Sequence, residues 1–340
     1  MRAVTMEKGV LKNVEQPDPI PQRGEVLVKS IACGICGSDL HATKHTEDFV
    51  KTSKEAGGAF KLSTFNPVIL GHEFCAEIVD YGPNTERSIS PGSLVCAAPA
   101  LLRKPVESIG YSDKTPGGFA EYMLLSESLI LPVPSGCTAE HAALTEPMAV
   151  GLHAINKAQI SGKEAILVIG AGPVGLSIIT ALKQKNTGPI IVSDFSPGRR
   201  KLAEKIGADI VINPNKTDAY QEPTLKQRKD VIIFECVGVP GMIEQIFLGA
   251  PQNAKIMIVG VCMQQDQMRP LIAINKELSL HFLLGWSMEE FTQSLHYISE
   301  GRFDVAPLIT DRIRLDDVPS TFEALSTPNS QAKVLVKPWG

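Results

Sequence analysis

The run Ala165-Ile166-Leu167-Val168-Ile169 ends directly on Gly170-Ala171-Gly172-Pro173-Val174-Gly175, and a stretch of helical spacing follows from Val174. Strand, glycine turn and helix in that order open a βαβ unit, which commits a chain to a parallel sheet with helices on its faces. Gly170 permits the tight turn, Gly172 lets a pyrophosphate approach the backbone, and Gly175 lets the helix pack close to its strand. The helix N-terminus at Pro173 and Val174 carries partial positive charge. From Lys163 onward apolar runs alternate with helical stretches. Candidate strands are Ala165–Ile169, Pro189–Ser193, Ile210–Ile212, Val231–Phe234, Lys255–Val259 and Leu278–Phe282, with helices Val174–Lys185 and Pro197–Ile206 between the early ones. Six parallel strands make a full doubly wound sheet.

The second strand ends at Ser193-Asp194, in the window where an acidic side chain meets an adenosine ribose. A 2′-phosphate would meet like charge there, so NAD is the expected dinucleotide. Asp194 is also placed to cap the helix near Pro197. Arg199, a candidate cofactor contact, weakens the selectivity argument together with Arg200, and a solvated helix face is the alternative for both.

The half before this unit reads as all-β: Glu25–Ala32, Val68–Asp80, Ser93–Ala97 and Phe119–Leu125 are strands separated by Pro and Gly turns. After the sheet come a helix Met288–Glu300, a strand Leu308–Ile313, a short helix Pro319–Ser326 and a terminal strand Lys333–Val336. The six-strand set is already complete, so the terminal strand is expected to return to the first domain, with crossings near Glu146–Asn156 and Gly285–Glu290. A chain of 340 residues with 44% hydrophobic residues sustains two cores. The division read from the sequence is 1–150, 151–286 and a return segment 287–340.

A net charge of −4 without a dense basic block argues against a nucleic-acid partner. The N-terminus has neither a long apolar run nor a small-residue cleavage site, so no membrane role is expected and the cytoplasm is the expected location. Seven scattered cysteines are no disulfide framework. Cys75, Cys96, Cys137, Cys236 and Cys262 read as small buried hydrophobes.

Soft and borderline metal ligands occur in Cys33-Gly-Ile-Cys36-Gly-Ser38-Asp39-Leu-His41 and in Gly71-His72-Glu73. A zinc ribbon would need another close Cys pair, which the chain lacks, and a thioredoxin-like site would need a different βα setting. In order, Cys36, Ser38, Asp39, His41, Gly71-His72-Glu73, Glu146-Pro147, the glycine turn and Asp194 resemble the medium-chain zinc-dependent alcohol dehydrogenases. Glu146-Pro147 resembles the branch containing sorbitol, threonine and butanediol dehydrogenases. Gly117-Gly118-Phe119-Ala120-Glu121-Tyr122 and Lys333-Val334-Leu335-Val336 extend the resemblance along nearly the whole chain.

The resemblance implies a GroES-like β-rich catalytic domain, a Rossmann cofactor domain and an active site in the cleft between them. It also implies a hydride transfer between an alcohol or polyol and NAD at one catalytic zinc per subunit, in a homodimer or homotetramer. Cys36 and His72 are the implied ligands, Glu73 a ligand or exchangeable near-ligand, and Glu146 stands where other branches carry a second ligand Cys. Were all four bound, no position would remain for catalysis, so Glu73 or Glu146 must yield. Asp39 is expected to orient His72. Ser38 and then His41 supply the implied proton route. Cys33 is expected to pack, and Lys333 to lie near Glu73, near the pyrophosphate or at the surface. Phe119, Leu284 and Trp286 either line the cleft or belong to the core.

Many members of that family carry four cysteines for a structural zinc, whereas only Cys96 lies between Gly92 and Phe119. No structural zinc is therefore expected, and the lobe Leu101–Pro116 needs other support. The segment Thr43–Asn66 reads as a long loop with a helical turn near Thr46–Ser53, tethered so that it covers the substrate entrance. Two rival functions share the fold: a zinc-independent reductase of quinones or activated alkenes, and a non-catalytic nucleotide-binding relative.

Overall fold

The computed structural model describes residues 1–58, 61–185, 187–326 and 331–340. Its six-stranded sheet is parallel throughout, in the order Ile210–Ile212, Ile190–Ser193, Ala165–Ile169, Val231–Glu235, Lys255–Ile258, Ser279–Phe282. Counted along the chain that is 3-2-1-4-5-6, the doubly wound arrangement, whose strand order reverses beside Ala165–Ile169. Helices cover both faces of the central strands, so those strands are continuous apolar runs with no alternation. Pro173 opens the helix Pro173–Leu182 and Pro197 opens Pro197–Ile206, where the missing N–H costs no hydrogen bond. Ser196 caps the second of these by accepting from Arg199 N at 3.3 Å, a contact that contributes about 1 kcal/mol.

The other large sheet is organised around Glu25–Gly34. That strand pairs antiparallel with Glu73–Tyr81, with Tyr122–Ser126 and with the terminal strand Lys333–Lys337, which also pairs in parallel with Ile309–Arg314. Gly34 is thereby opposite both Glu73 and Leu335. A Cβ at residue 34 would come within 2.2 Å of Glu73 Oε2 and 3.1 Å of Lys333 Cδ, so glycine there opens the space in which those two side chains meet.

Three features depart from the sequence reading. An N-terminal hairpin, Arg2–Glu7 with Val10–Glu15, turns on Lys8 and Gly9 at φ 49° and 79°, the primed geometry that matches strand twist. In the segment Thr43–Asn66 the helical turn expected near Thr46–Ser53 is a longer helix, Thr46–Glu55, which follows Gly37–Lys44 almost at once, and residues 59 and 60 lie outside the described residues. Thr46, Phe49 and Ser53 form the buried face of that second helix, and its one large apolar residue gave the sequence no visible period. The crossing expected at Glu146–Asn156 is a continuous helix, Thr145–Ala158. It lies so close to Pro173–Leu182 that a Cβ on Gly151 would be 2.6 Å from Ser177 C.

Candidate active site

Cys36 stands at the N-terminal end of the helix Gly37–Lys44, while His72 and Glu73 lie at the start of Glu73–Tyr81. One ligand atom from each of Cys36, His72 and Glu73 lies within 4.8 Å of the others. Asp39 is fully buried, and its Oδ2 accepts from Cys36 N at 2.9 Å. Its Oδ1 is 3.3 Å from His72 Nδ1 but out of line for a hydrogen bond, so both atoms are left unsatisfied. An imidazole whose other nitrogen is fixed on a cation would be drawn into line with that carboxylate. Burial disfavours charge on His72, yet Asp39 and Cys36 outweigh it and hold the ring well above its ordinary pKa. The cluster therefore draws positive charge, and its sulfur, nitrogen and oxygen donors suit zinc.

Glu73 is buried against Lys333, whose Nζ donates to Oε1 at 2.8 Å, to Oε2 at 2.5 Å and to Ile35 O at 3.1 Å. Burial disfavours the ammonium, but Glu73 more than compensates and raises its pKa. Glu146 stands apart from the three-residue cluster. Its Oε1 accepts from Trp286 Nε1 at 2.8 Å, and burial pushes its carboxyl up, with the charge on Glu73 acting in the same direction.

Ser38 Oγ donates to Cys36 Sγ at 3.1 Å. His41 is half-buried in the last turn of its helix, and burial, then His45 and Lys44, lower its pKa below 6.5. Cys33 is fully buried, and its sulfur fills the space beside Gly71 and Gly118. Phe119 is core, edge-on to Phe322, while Leu284 is 76% exposed; of the three candidate cleft residues only Trp286 touches the site. The seven cysteines are free, but Cys137, Cys236 and Cys262 are half-buried, so the expectation of full burial holds for Cys75 and Cys96 alone among those five. Sequence reasoning missed Tyr111, whose hydroxyl donates to Ser38 Oγ at 2.7 Å. A lone tyrosine in a segment of no clear period carried no signal.

At the glycine turn, Gly170 has φ 93°, and a Cβ on Gly175 would be 1.9 Å from Gly170 O, closer than any side chain allows. Gly172, Pro173 and Val174 are partly exposed, and among the described residues no side chain caps the amides that begin the helix. Such amides suit an anionic oxygen. Arg199 leans on this turn: its Nη1 is 3.9 Å from where a Cβ on Gly172 would lie, and its Nε donates to Gln331 O at 3.2 Å. Asp194 Oδ2 accepts from Ala171 N and Oδ1 from Ser196 N, both at 2.7 Å. Asp194 thus ties the glycine turn to the second strand, and Ser196 rather than Asp194 caps the following helix.

Residues 22–135 match the family model of the alcohol dehydrogenase GroES-like domain, and residues 173–300 that of the zinc-binding dehydrogenases. The chain is 30% identical to a (R,R)-butanediol dehydrogenase of Bacillus subtilis, with 96% of each chain covered. It is 28% identical to a sorbitol dehydrogenase of the same organism, covering 98% of this chain and 97% of that one. A putative zinc-binding dehydrogenase from Sinorhizobium meliloti, solved with NADP, superposes at a TM-score of 0.84, with 26% identity and 99% of both chains covered. Family models over both halves, and relatives that run the length of the chain, place this protein in the zinc-binding alcohol dehydrogenase family.

Proposed function

We propose that this oxidoreductase interconverts a secondary alcohol or polyol and its ketone or aldehyde with NAD, at one zinc ion held by Cys36, His72 and Glu73. The observation that carries the reading is the gathering of those three donors within 4.8 Å beside the Ser38 hydroxyl. When bound, zinc would supply a Lewis acid that acidifies the substrate hydroxyl, and the nicotinamide would supply the hydride acceptor. Cys36, His72 and Glu73 would hold the ion, while Glu146, bonded to Trp286 Nε1, is the carboxylate that stands off it and would leave room for substrate. Ser38 is the group to receive the hydroxyl proton and His41 the group to carry it onward, since the lowered pKa keeps its ring neutral and able to accept it; a bound cofactor would supply a ribose hydroxyl between them. Gly170, Gly172, Pro173, Val174 and Gly175 seat the pyrophosphate, with Arg199 beside it, and Asp194 supports the adenosine ribose.

Residues 1–150 and 287–340 make up the catalytic unit in this reading, and 151–286 the cofactor unit. Free cysteines fit the cytoplasm. The edge strand Ser279–Phe282, with Phe282 66% and Leu284 76% exposed, fits an interface between subunits of a homodimer or homotetramer, which light scattering measures. No helix among the described residues is long and apolar enough to cross a membrane.

The test is metal analysis combined with NAD reduction over a panel of secondary alcohols and polyols. Cys36→Ala should lose zinc and dehydrogenase activity while still binding NADH, because the two sites lie in different units. Unimpaired turnover by a metal-free Cys36→Ala protein would overturn the reading.

A further inference from the structure

Tyr111 is buried, 4% exposed, in the lobe between Leu101 and Pro116. Its ring stacks on Phe49 of the Thr46–Glu55 helix, with centroids 5.7 Å apart and planes 14° apart, and its centroid is 5.0 Å from that of His72. Two segments fix it. Its backbone carbonyl accepts from Lys61 N at 3.0 Å and its own N–H donates to Ser108 O at 3.0 Å. Around it, Asn66 Nδ2 donates to Asp113 Oδ2 at 2.6 Å and Lys61 Nζ reaches Glu107 Oε1 at 3.4 Å. The aromatic contacts alone would be served as well by phenylalanine, and burying a phenol hydroxyl costs free energy unless it is hydrogen-bonded. What tyrosine adds is an oxygen 2.7 Å from Ser38 Oγ, so that two hydroxyls stand side by side next to Cys36. The oxygens of a gauche vicinal diol are spaced similarly, at roughly 2.8 Å, so one molecule can meet both hydroxyls at once.

We propose that Tyr111 is a specificity-determining residue: while Ser38 serves the reacting hydroxyl, Tyr111 hydrogen-bonds the oxygen on the adjacent carbon. This rests on the alcohol dehydrogenase reading and adds to it that the preferred alcohol carries a vicinal oxygen. The segments 43–66 and 101–116 are the mount that aims the phenol.

The test uses the zinc-loaded enzyme with NAD and a matched pair of probes, propane-1,2-diol (both enantiomers) and propan-2-ol. In Tyr111→Phe the ratio of kcat/KM for the diol to that for the mono-alcohol should fall about tenfold, mainly through the KM for the diol. Phe49→Leu, which loosens the stack but keeps the hydroxyl, should lower the same ratio by a smaller factor. A ratio unchanged within about twofold in Tyr111→Phe, with zinc content and unfolding midpoint preserved, overturns the proposal. If Tyr111→Phe does not fold, the ratio in Phe49→Leu decides in the same sense. A wild-type enzyme that oxidises neither probe, nor any other alcohol, overturns the underlying reading, and the assignment of Tyr111 falls with it.

Discussion

Lys333→Met isolates the charge that faces Glu73. The Glu73 side chain is 1% exposed and that of Lys333 3%, and two of the three Lys333 Nζ contacts end on the Glu73 carboxylate, the third on Ile35 O. Methionine replaces most of the lysine stem, so packing changes little and the loss is electrostatic. Removing one partner of such a buried pair costs about 3–5 kcal/mol. That figure applies to the metal-free protein. With zinc bound at Cys36, His72 and Glu73, the ion itself compensates the carboxylate, and the loss shrinks. By linkage the difference between the two losses appears as zinc affinity: recovery of about 2 kcal/mol corresponds to zinc binding roughly 30-fold tighter in Lys333→Met than in the unmutated protein. The assays are urea unfolding of chelator-stripped and zinc-loaded protein, and a competitive chelator titration. Because a chain of two cores need not unfold in two states, the chelator titration provides an independent reading. A metal-free loss below about 1 kcal/mol, or zinc affinity unchanged or weakened, would refute the reasoning.

Asp194→Asn keeps the shape but removes the charge behind two hydrogen bonds of 2.7 Å. The dissociation constant of NADH, followed by fluorescence titration, should rise about 10- to 100-fold, and discrimination against NADP should relax. Equal kcat/KM with NAD and NADP in the unmutated enzyme would assign cofactor choice to something other than this carboxylate. For His41, the lowered pKa means that the ring accepts a proton at pH 7 and ceases to do so as pH falls through that value, so the acid limb of kcat should be centred below 6.5. In His41→Gln kcat should fall about 10- to 100-fold and that limb should disappear. A limb centred above 6.5, or one that persists in the variant, would remove His41 from the proton route.

The parallel sheet was readable because strands covered on both faces leave unbroken apolar runs. The sequence places Ile210–Ile212 and Ala165–Ile169 to the residue and misses the ends of the others by one, as at Pro189 against Ile190. A helical turn near Thr46–Ser53 was readable but the full extent of the helix Thr46–Glu55 was not, because its buried face is Thr46, Phe49 and Ser53 and two of those three are polar. The same contrast holds in the site. Cys36, His72 and Glu73 announce themselves because ligand residues are rare and their local patterns short. The union of Glu73 with Lys333 spans 260 residues and is set by the pairing of Gly34 with both Glu73 and Leu335, which no local pattern reveals. Tyr111 is the extreme case, since its partners Phe49, Lys61 and Ser38 come from other parts of the chain.

The support that the lobe Leu101–Pro116 needed from elsewhere comes from a carboxylate. Glu107 is 2% exposed, and its Oε2 accepts from Ser112 Oγ at 2.7 Å, while Oε1 faces Lys61 at 3.4 Å and Lys114 at 3.9 Å. These contacts differ in weight. Lys114 is 64% exposed and screened by solvent, so it contributes little, whereas the Ser112 bond is buried and its loss would strand a charge. Arg103 adds a two-point contact with Glu25, at 2.7 and 3.0 Å, that ties the lobe to the central strand. Lys61 belongs to the 43–66 segment, and its own amide holds Tyr111, so the interactions that fasten the lobe also fix the phenol beside Ser38. Fastening by ion pairs rather than by thiolates leaves the lobe sensitive to charge substitutions at Lys61 and Glu107, and the first consequence of loosening it would be felt at the hydroxyl pair that faces the substrate.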